Sequence, residues 1–239
     1  ATIALVRGGV AIGTTEVVTM GLLPEIAAGV GVDIPTAGHP IAAYAAGVVI
    51  GAPLLAVLGA TWPRKALLIG LMVAFTIGNL LSAIAPDYGL LVGARLLAGL
   101  PHGAFFGVAA LVAVDLARSG QAGRAVGRVM LGIPIANVLG VPGATWLGQA
   151  YGWRTAYVLV AVIGFATVAL IAYAVPHLPA DPTRTVRSEL SALTSVQVWL
   201  TLGVGAVGFG GIFAMYSYIA PTVTEVTGQA RLEELARMM

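Results

Sequence analysis

The chain has 239 residues, of which 59% are hydrophobic and only 9% are Asp, Glu, Lys or Arg; its mean hydropathy is +0.96. A soluble domain carries roughly a quarter charged residues, so this composition excludes a surface bathed in water and makes lipid the expected solvent. A net charge of +2 says little about partners, no nucleic-acid partner is expected, and the absence of cysteine excludes disulfides and thiolate metal sites.

A membrane helix needs about 20 predominantly apolar residues. Seven runs qualify, at roughly 3–28, 38–60, 66–85, 88–113, 123–149, 153–175 and 197–220. The punctuation between them is short: Gly31 to Pro35, Trp62 to Lys65, Pro86 to Tyr88 and Arg118 to Gln121. Barrel strands would alternate apolar and polar residues over about ten positions, and no such alternation occurs. The expected fold is an all-α integral membrane protein, a polytopic helical bundle.

Span one is too long and too polar for a cleaved signal peptide. It carries Thr14, Thr15 and Glu16 at its middle and Arg7 near its start, where a long side chain can snorkel to the interface. Span two has small residues at Ala43, Gly47 and Gly51, with Tyr44 beside them, and is followed by Arg64 and Lys65. Asn79 lies in span three. Span four holds Gly99, Gly103 and Gly107, together with Arg95, His102 and Phe105, and Asp115 where it leaves the membrane. In span five every fourth residue is small, at Gly132, Ala136, Gly140, Ala144 and Gly148. Each four-residue step turns about 40°, so the series forms one slowly winding stripe along which a neighbour can pack closely. Pro134 and Pro142 remove backbone bonds and predict a bend in the same span. After span six the chain turns polar from Pro176 to about Val196, then span seven follows. Residues 229–239 carry Arg231, Glu233, Glu234 and Arg237, which reads as a short surface helix or a cut end.

The expected domains are therefore 1–175 (six spans), a linker at 176–196, a seventh span within 197–228, and a polar tail at 229–239. Arginine and lysine fall after the even-numbered spans: Arg64, Lys65, Arg118, Arg124, Arg128, Arg184 and Arg187. The other loops hold only Arg154, beside Asp33 and Asp87. By the positive-inside rule the even loops and the N-terminus are cytoplasmic.

Charges at membrane depth cost several kcal/mol and are functional hypotheses by default. Glu16 sits mid-span and is the expected proton-exchanging carboxyl. Arg95 and His102 are seven residues apart, on one helix face; Arg95 can act on an anion or on Glu16, and His102 can take a proton near physiological pH. The plain alternatives are an Arg95 bonded to backbone carbonyls and a His102 that joins two helices. Thr14, Thr15, Tyr44, Phe105 and Asn137 are expected to line a substrate cavity, although Asn137 fits an interhelical bond equally well. Asp115 fits a solvated or capping role. The only lysine, Lys65, is in a loop, so a retinal Schiff base in the last helix is excluded. There is no metal-ligand cluster, phosphate-cradling loop or nucleophile constellation, and no cofactor is expected.

Gly13-Thr14-Thr15-Glu16 followed by Gly21-Leu22-Leu23-Pro24-Glu25-Ile26-Ala27 resembles the opening of a major facilitator superfamily transporter, of the bacterial drug and sugar efflux branch. Gly93-Ala94-Arg95-Leu96-Leu97-Ala98-Gly99 resembles the family's fourth-helix motif, whose arginine is implicated in proton coupling. The stretch from Gly132 to Gly148, with Gly140-Val141-Pro142-Gly143 inside it, is similar to the antiporter motif of exporters. Arg64 and Lys65 stand where the family carries a basic pair, but the acid that usually precedes the pair is missing: the loop reads Gly59-Ala60-Thr61-Trp62. The resemblance implies a six-helix N-terminal domain plus a seventh helix from a second half. It also implies proton-coupled efflux of a small molecule by alternating access in a bacterial inner membrane, with lipid, protons and a small solute as partners. A shortened facilitator half acting as a structural subunit, self-associating or held in a larger complex, is the alternative.

Overall fold

The computed structural model describes residues 1–178, 194–219 and 222. The expected tail at 229–239, Arg184, Arg187 and most of the linker lie outside the described residues. The chain divides into two compact units, Ala1–Ser191 and Ala192–Met239. The described part of the second unit is one apolar helix, Val196–Ser217.

The described part of the first unit is helical. Its elements are α1 (Thr2–Gly21), α2 (Leu23–Val30), α3 (Ile34–Ala37), α4 (His39–Leu58), α5 (Arg64–Ile84), α6 (Tyr88–Asp115), α7 (Ala122–Met130), α8 (Gly132–Ile135), α9 (Val141–Tyr151) and α10 (Arg154–Ala174). With Val196–Ser217 as α11, the described residues hold seven stretches long and apolar enough to cross a membrane. The protein is an all-α integral membrane bundle.

Two local features correct the sequence reading, and a third refines it. Span one is not a single helix, because Leu22 leaves helical geometry at φ −114°, ψ 18°. Pro24 explains the break, since it has no N–H to give the carbonyl of Met20 and is at home in the first turn of a new helix. Ile34 and Pro35, expected as punctuation, open the one-turn helix α3. Asp33 caps it by accepting a 3.0 Å hydrogen bond from the Thr36 N–H, and bonds from Thr36 hold this exposed carboxyl below the usual carboxylate range. Span five is bent as expected, but in a specific way: a wide π turn covers Ala136–Gly140, between Pro134 and Pro142. Pro134 frees the carbonyl of Met130 before the turn and Pro142 that of Val138 within it, and an inserted π turn is one recognised cause of such a bend.

The small-residue stripes find their partners. A methyl group on Gly13 would stand 2.8 Å from Cβ of Ala136, and one on Gly132 would stand 2.8 Å from Cα of Gly9. The stripe of span five therefore lies against α1, backbone to backbone. Gly47 and Gly99 meet in the same way between α4 and α6, where a Cβ on Gly47 would be 3.1 Å from Cα of Gly99. Of the three apolar clusters among the described residues, two flank the middle of α1. One gathers Leu5, Ile12, Met72, Phe75, Phe105 and Val112, and the other gathers Val18, Leu22, Leu91, Trp153 and Tyr157. Along α1, Thr14 to Glu16 fall between them.

Candidate functional site

Among the described residues Arg95 is the largest fully buried side chain, at 0% exposure. α6 carries it into the bundle because Ala94, Ala98 and Gly99 on the buried side let α6 approach its neighbours. Its Nη1 donates to Thr15 Oγ1 at 2.9 Å and its Nη2 donates to the Thr15 carbonyl at 3.0 Å. The guanidinium also lies 4.3 Å from the centroid of the Tyr44 ring and 5.3 Å from that of Tyr157. Two rings and two oxygens replace the water that such a cation gives up. Nε remains buried without a partner.

Thr15 is the hinge of the network. Its hydroxyl, already accepting from Arg95, donates to Asn79 Oδ1 at 2.5 Å, and Asn79 Nδ2 donates to the Phe75 carbonyl at 2.9 Å. One turn along, Thr19 and Tyr157 share a 2.9 Å hydroxyl contact. The network thus ties α1, α5, α6 and α10. In a low-dielectric interior, each group that loses its partner leaves another unsatisfied.

Glu16 follows Thr15 and is half-buried. Its charge and that of Arg95 act on each other, but the pair is not closed. Among the described residues the ion pair within 4.0 Å is Arg64–Asp115. Arg95 is therefore a buried cation held by neutral groups, with a carboxyl nearby and free of it. His102 joins the same neighbourhood from two turns away: its Nδ1 meets the Tyr44 hydroxyl at 3.0 Å, so Tyr44 stacks on Arg95 and bonds His102.

The other expected site residues disperse. Thr14 is buried and its hydroxyl donates to the Val10 carbonyl at 2.7 Å, with Gly140 packed against it. Phe105 is fully buried in the apolar cluster, its ring over Gly8; its neighbour Phe106 is the ring that faces His102, at 5.5 Å between centroids. Asn137 is exposed within the π turn. Gly132 and Gly140 pack on α1, whereas Pro142 and Gly143 are exposed and no atom stands within 4 Å of a methyl on Gly143. Tyr157 and Thr19 were not singled out from sequence. Span six also holds Tyr173, Thr155 and Thr167, so nothing local set Tyr157 apart.

At one end of the bundle Arg64, on the first turn of α5, pairs with Asp115 on the last turn of α6. The acid missing from the loop is thus supplied from another helix, and Asp115 is an ion-pair partner rather than a merely solvated group. Lys65 beside it is half-buried. Arg64 is 15% exposed and Asp115 37%, so solvent screens the pair. A double-mutant cycle of Arg64→Gln with Asp115→Asn should return a coupling of about 0.5–1 kcal/mol. A coupling above about 2 kcal/mol would mean that the pair is far better shielded than its exposure allows.

Comparison with known proteins gives this geometry a lineage. The chain is 43% identical over 225 residues to the inner membrane transport protein YdhP of Escherichia coli, a match covering 94% of this chain and 58% of YdhP. It is 36% identical over 222 residues to the chloramphenicol resistance protein of Streptomyces lividans, covering 91% of this chain and 57% of that protein. The chain therefore spans a little over half the length of these relatives. Among solved structures, the proton:xylose symporter XylE aligns with a TM-score of 0.66 at 18% identity, over 74% of this chain and 44% of XylE, which speaks for the fold alone. A family profile described as Major Facilitator Superfamily matches residues 6–235, and the chain belongs to that superfamily.

Proposed function

We propose that this chain is the N-terminal portion of a secondary transporter that exports a small amphiphilic solute in exchange for protons, by alternating access in a bacterial inner membrane. The observation that carries this reading is the buried Arg95, held by Thr15 and two aromatic rings instead of by a carboxylate. A cation so held biases a nearby carboxyl without neutralising it permanently. Glu16 can then alternate between protonated and ionised as the site faces either side, and its charge state decides whether solute or proton occupies the site. His102, tied to Arg95 through Tyr44, extends the titratable set. Thr15 and Tyr44 serve this site by holding Arg95, and the exposed Asn137 belongs to the proposed solute-facing set together with residues of a second half, with which the cleft of such transporters is shared. The relatives named above support the transport reading, and the arginine-rich even loops support a cytoplasmic N-terminus.

Efflux driven by an imposed proton gradient tests it, with chloramphenicol as the first of a panel of small amphiphilic probes. Glu16→Gln keeps the shape and removes the titration. It should abolish gradient-driven efflux in full-length protein while thermal stability stays within about 1 kcal/mol of the parent. Undiminished efflux in that variant would discard Glu16 as the coupling group.

A further inference from the structure

The geometry points to a phospholipid-headgroup site at the end of the bundle where α6 gives way to α7. A cavity of about 360 Å³ opens there, lined among others by Thr2, Leu116, Arg118, Gln121, Arg124 and Arg128. Three arginines from two chain segments line it, and none of its lining residues is acidic. The nearest acid in sequence, Asp115, is engaged by Arg64. Among the described residues, Arg118, Arg124 and Arg128 have no ion-pair partner within 4.0 Å. Arg124 and Arg128 stand at i, i+4 on α7, a like-charge spacing that repels unless an anion lies between. Methyl groups on Gly123 and Gly127 would meet nothing within 4 Å, so that part of α7 is unobstructed.

Topology needs positive charge on this side of the membrane, but it does not need three arginines around one cavity. Depth identifies the anion. α6 has 28 residues, about 42 Å at 1.5 Å per residue, against a hydrocarbon core of about 30 Å. Its last turn therefore reaches the headgroup layer. The guanidinium fork matches phosphate oxygens in pairs, Thr2 and Gln121 add neutral donors, and the wall of Ala113, Leu116 and Ala117 is apolar. Phosphate beside an apolar wall at that depth is the chemistry of an anionic phospholipid such as cardiolipin or phosphatidylglycerol. The site is separate from Glu16 and Arg95 and does not depend on the transport reading.

The test is the melting temperature of the full chain purified in a neutral detergent. Cardiolipin, phosphatidylglycerol, phosphatidylcholine and inorganic phosphate are titrated at equal phosphorus. Cardiolipin and phosphatidylglycerol should raise the melting temperature saturably, and phosphatidylcholine and inorganic phosphate should not. Arg124→Gln combined with Arg128→Gln should weaken the apparent lipid affinity about 30-fold, the combined scale of two arginines at an anionic surface. Lys65→Gln, at the same end but outside the cavity, should leave it unchanged. An equal loss in Lys65→Gln, full affinity in the double variant, or saturation by inorganic phosphate alone overturns the assignment. Should the double variant fail to fold, native mass spectrometry of Arg118→Gln takes its place: phospholipid carried at the parent level would be equally fatal.

Discussion

Arg95→Met will leave the bundle folded and remove proton-driven transport, whereas Arg95→Lys will damage both. Methionine fills much of the same space and takes away the charge. Replacing a buried charge by an apolar group of similar volume is often neutral or stabilising, because desolvation no longer has to be offset. The Thr15 carbonyl keeps its place in the helix, and the Thr15 hydroxyl keeps Asn79 as an acceptor. Lysine keeps the charge but is a compact, strongly hydrated ammonium. It cannot reach both Thr15 oxygens while lying across the Tyr44 ring, as the guanidinium does. The expected cost of Arg95→Lys is about 2–3 kcal/mol, the scale of buried polar groups left unsatisfied. Thermal unfolding of the two variants, with gradient-driven efflux of the same probe, separates the roles. If Arg95→Met folds and still exports against its gradient, Arg95 is a structural tie and the coupling assigned to it falls.

Much of this arrangement was legible in the chain itself. Lipid-facing helices must be apolar throughout their length, so the spans announce themselves, and most boundaries fall within two residues of those observed: 66–85 became Arg64–Ile84, and 153–175 became Arg154–Ala174. Arg95 stood out because a charge in such a run has to be compensated by its surroundings. What compensates it was not legible. The sequence points Tyr44 and Thr15 toward a cavity, whereas they hold the guanidinium, and Tyr157 looks like ordinary packing because an aromatic in an apolar span carries no polar signal of its own. Phe105 and Phe106 are adjacent and chemically identical, so only the rotation of α6 decides that one fills the core and the other faces His102. The break at Leu22 was signalled by Pro24, yet proline in a membrane span is common enough that its effect depends on the neighbours. The Arg64–Asp115 pair joins residues 51 positions apart, a relation that no local motif encodes.

The largest loss of stability is expected at Gly99. Its Cα faces Gly47, and a Cβ there would stand 3.2 Å from Cα of Gly47 and 3.0 Å from the carbonyl carbon of Tyr44. The obstructing atoms are backbone, which cannot rotate away as a side chain would. In lipid, α4 and α6 are held by close packing rather than by escape from water, so a side chain at this crossing has to push the helices apart. Gly99→Leu should cost about 3 kcal/mol or more, the upper end of the overpacking range. Gly107→Leu on the same helix, where a methyl meets nothing within 4 Å, should be nearly neutral. The consequence reaches the site, because Tyr44 rides on α4 while Arg95 and His102 ride on α6. Separating the helices withdraws the ring from the guanidinium and the hydroxyl from the imidazole together. A milder variant, Gly99→Ala, should therefore lose transport before it loses its fold. The discriminating measurement is the order in which efflux and thermal stability fall across Gly107→Leu, Gly99→Ala and Gly99→Leu. If Gly99→Leu melts at the parent temperature, the glycine contact does not hold α4 to α6, and the placement of Tyr44 over Arg95 must come from elsewhere.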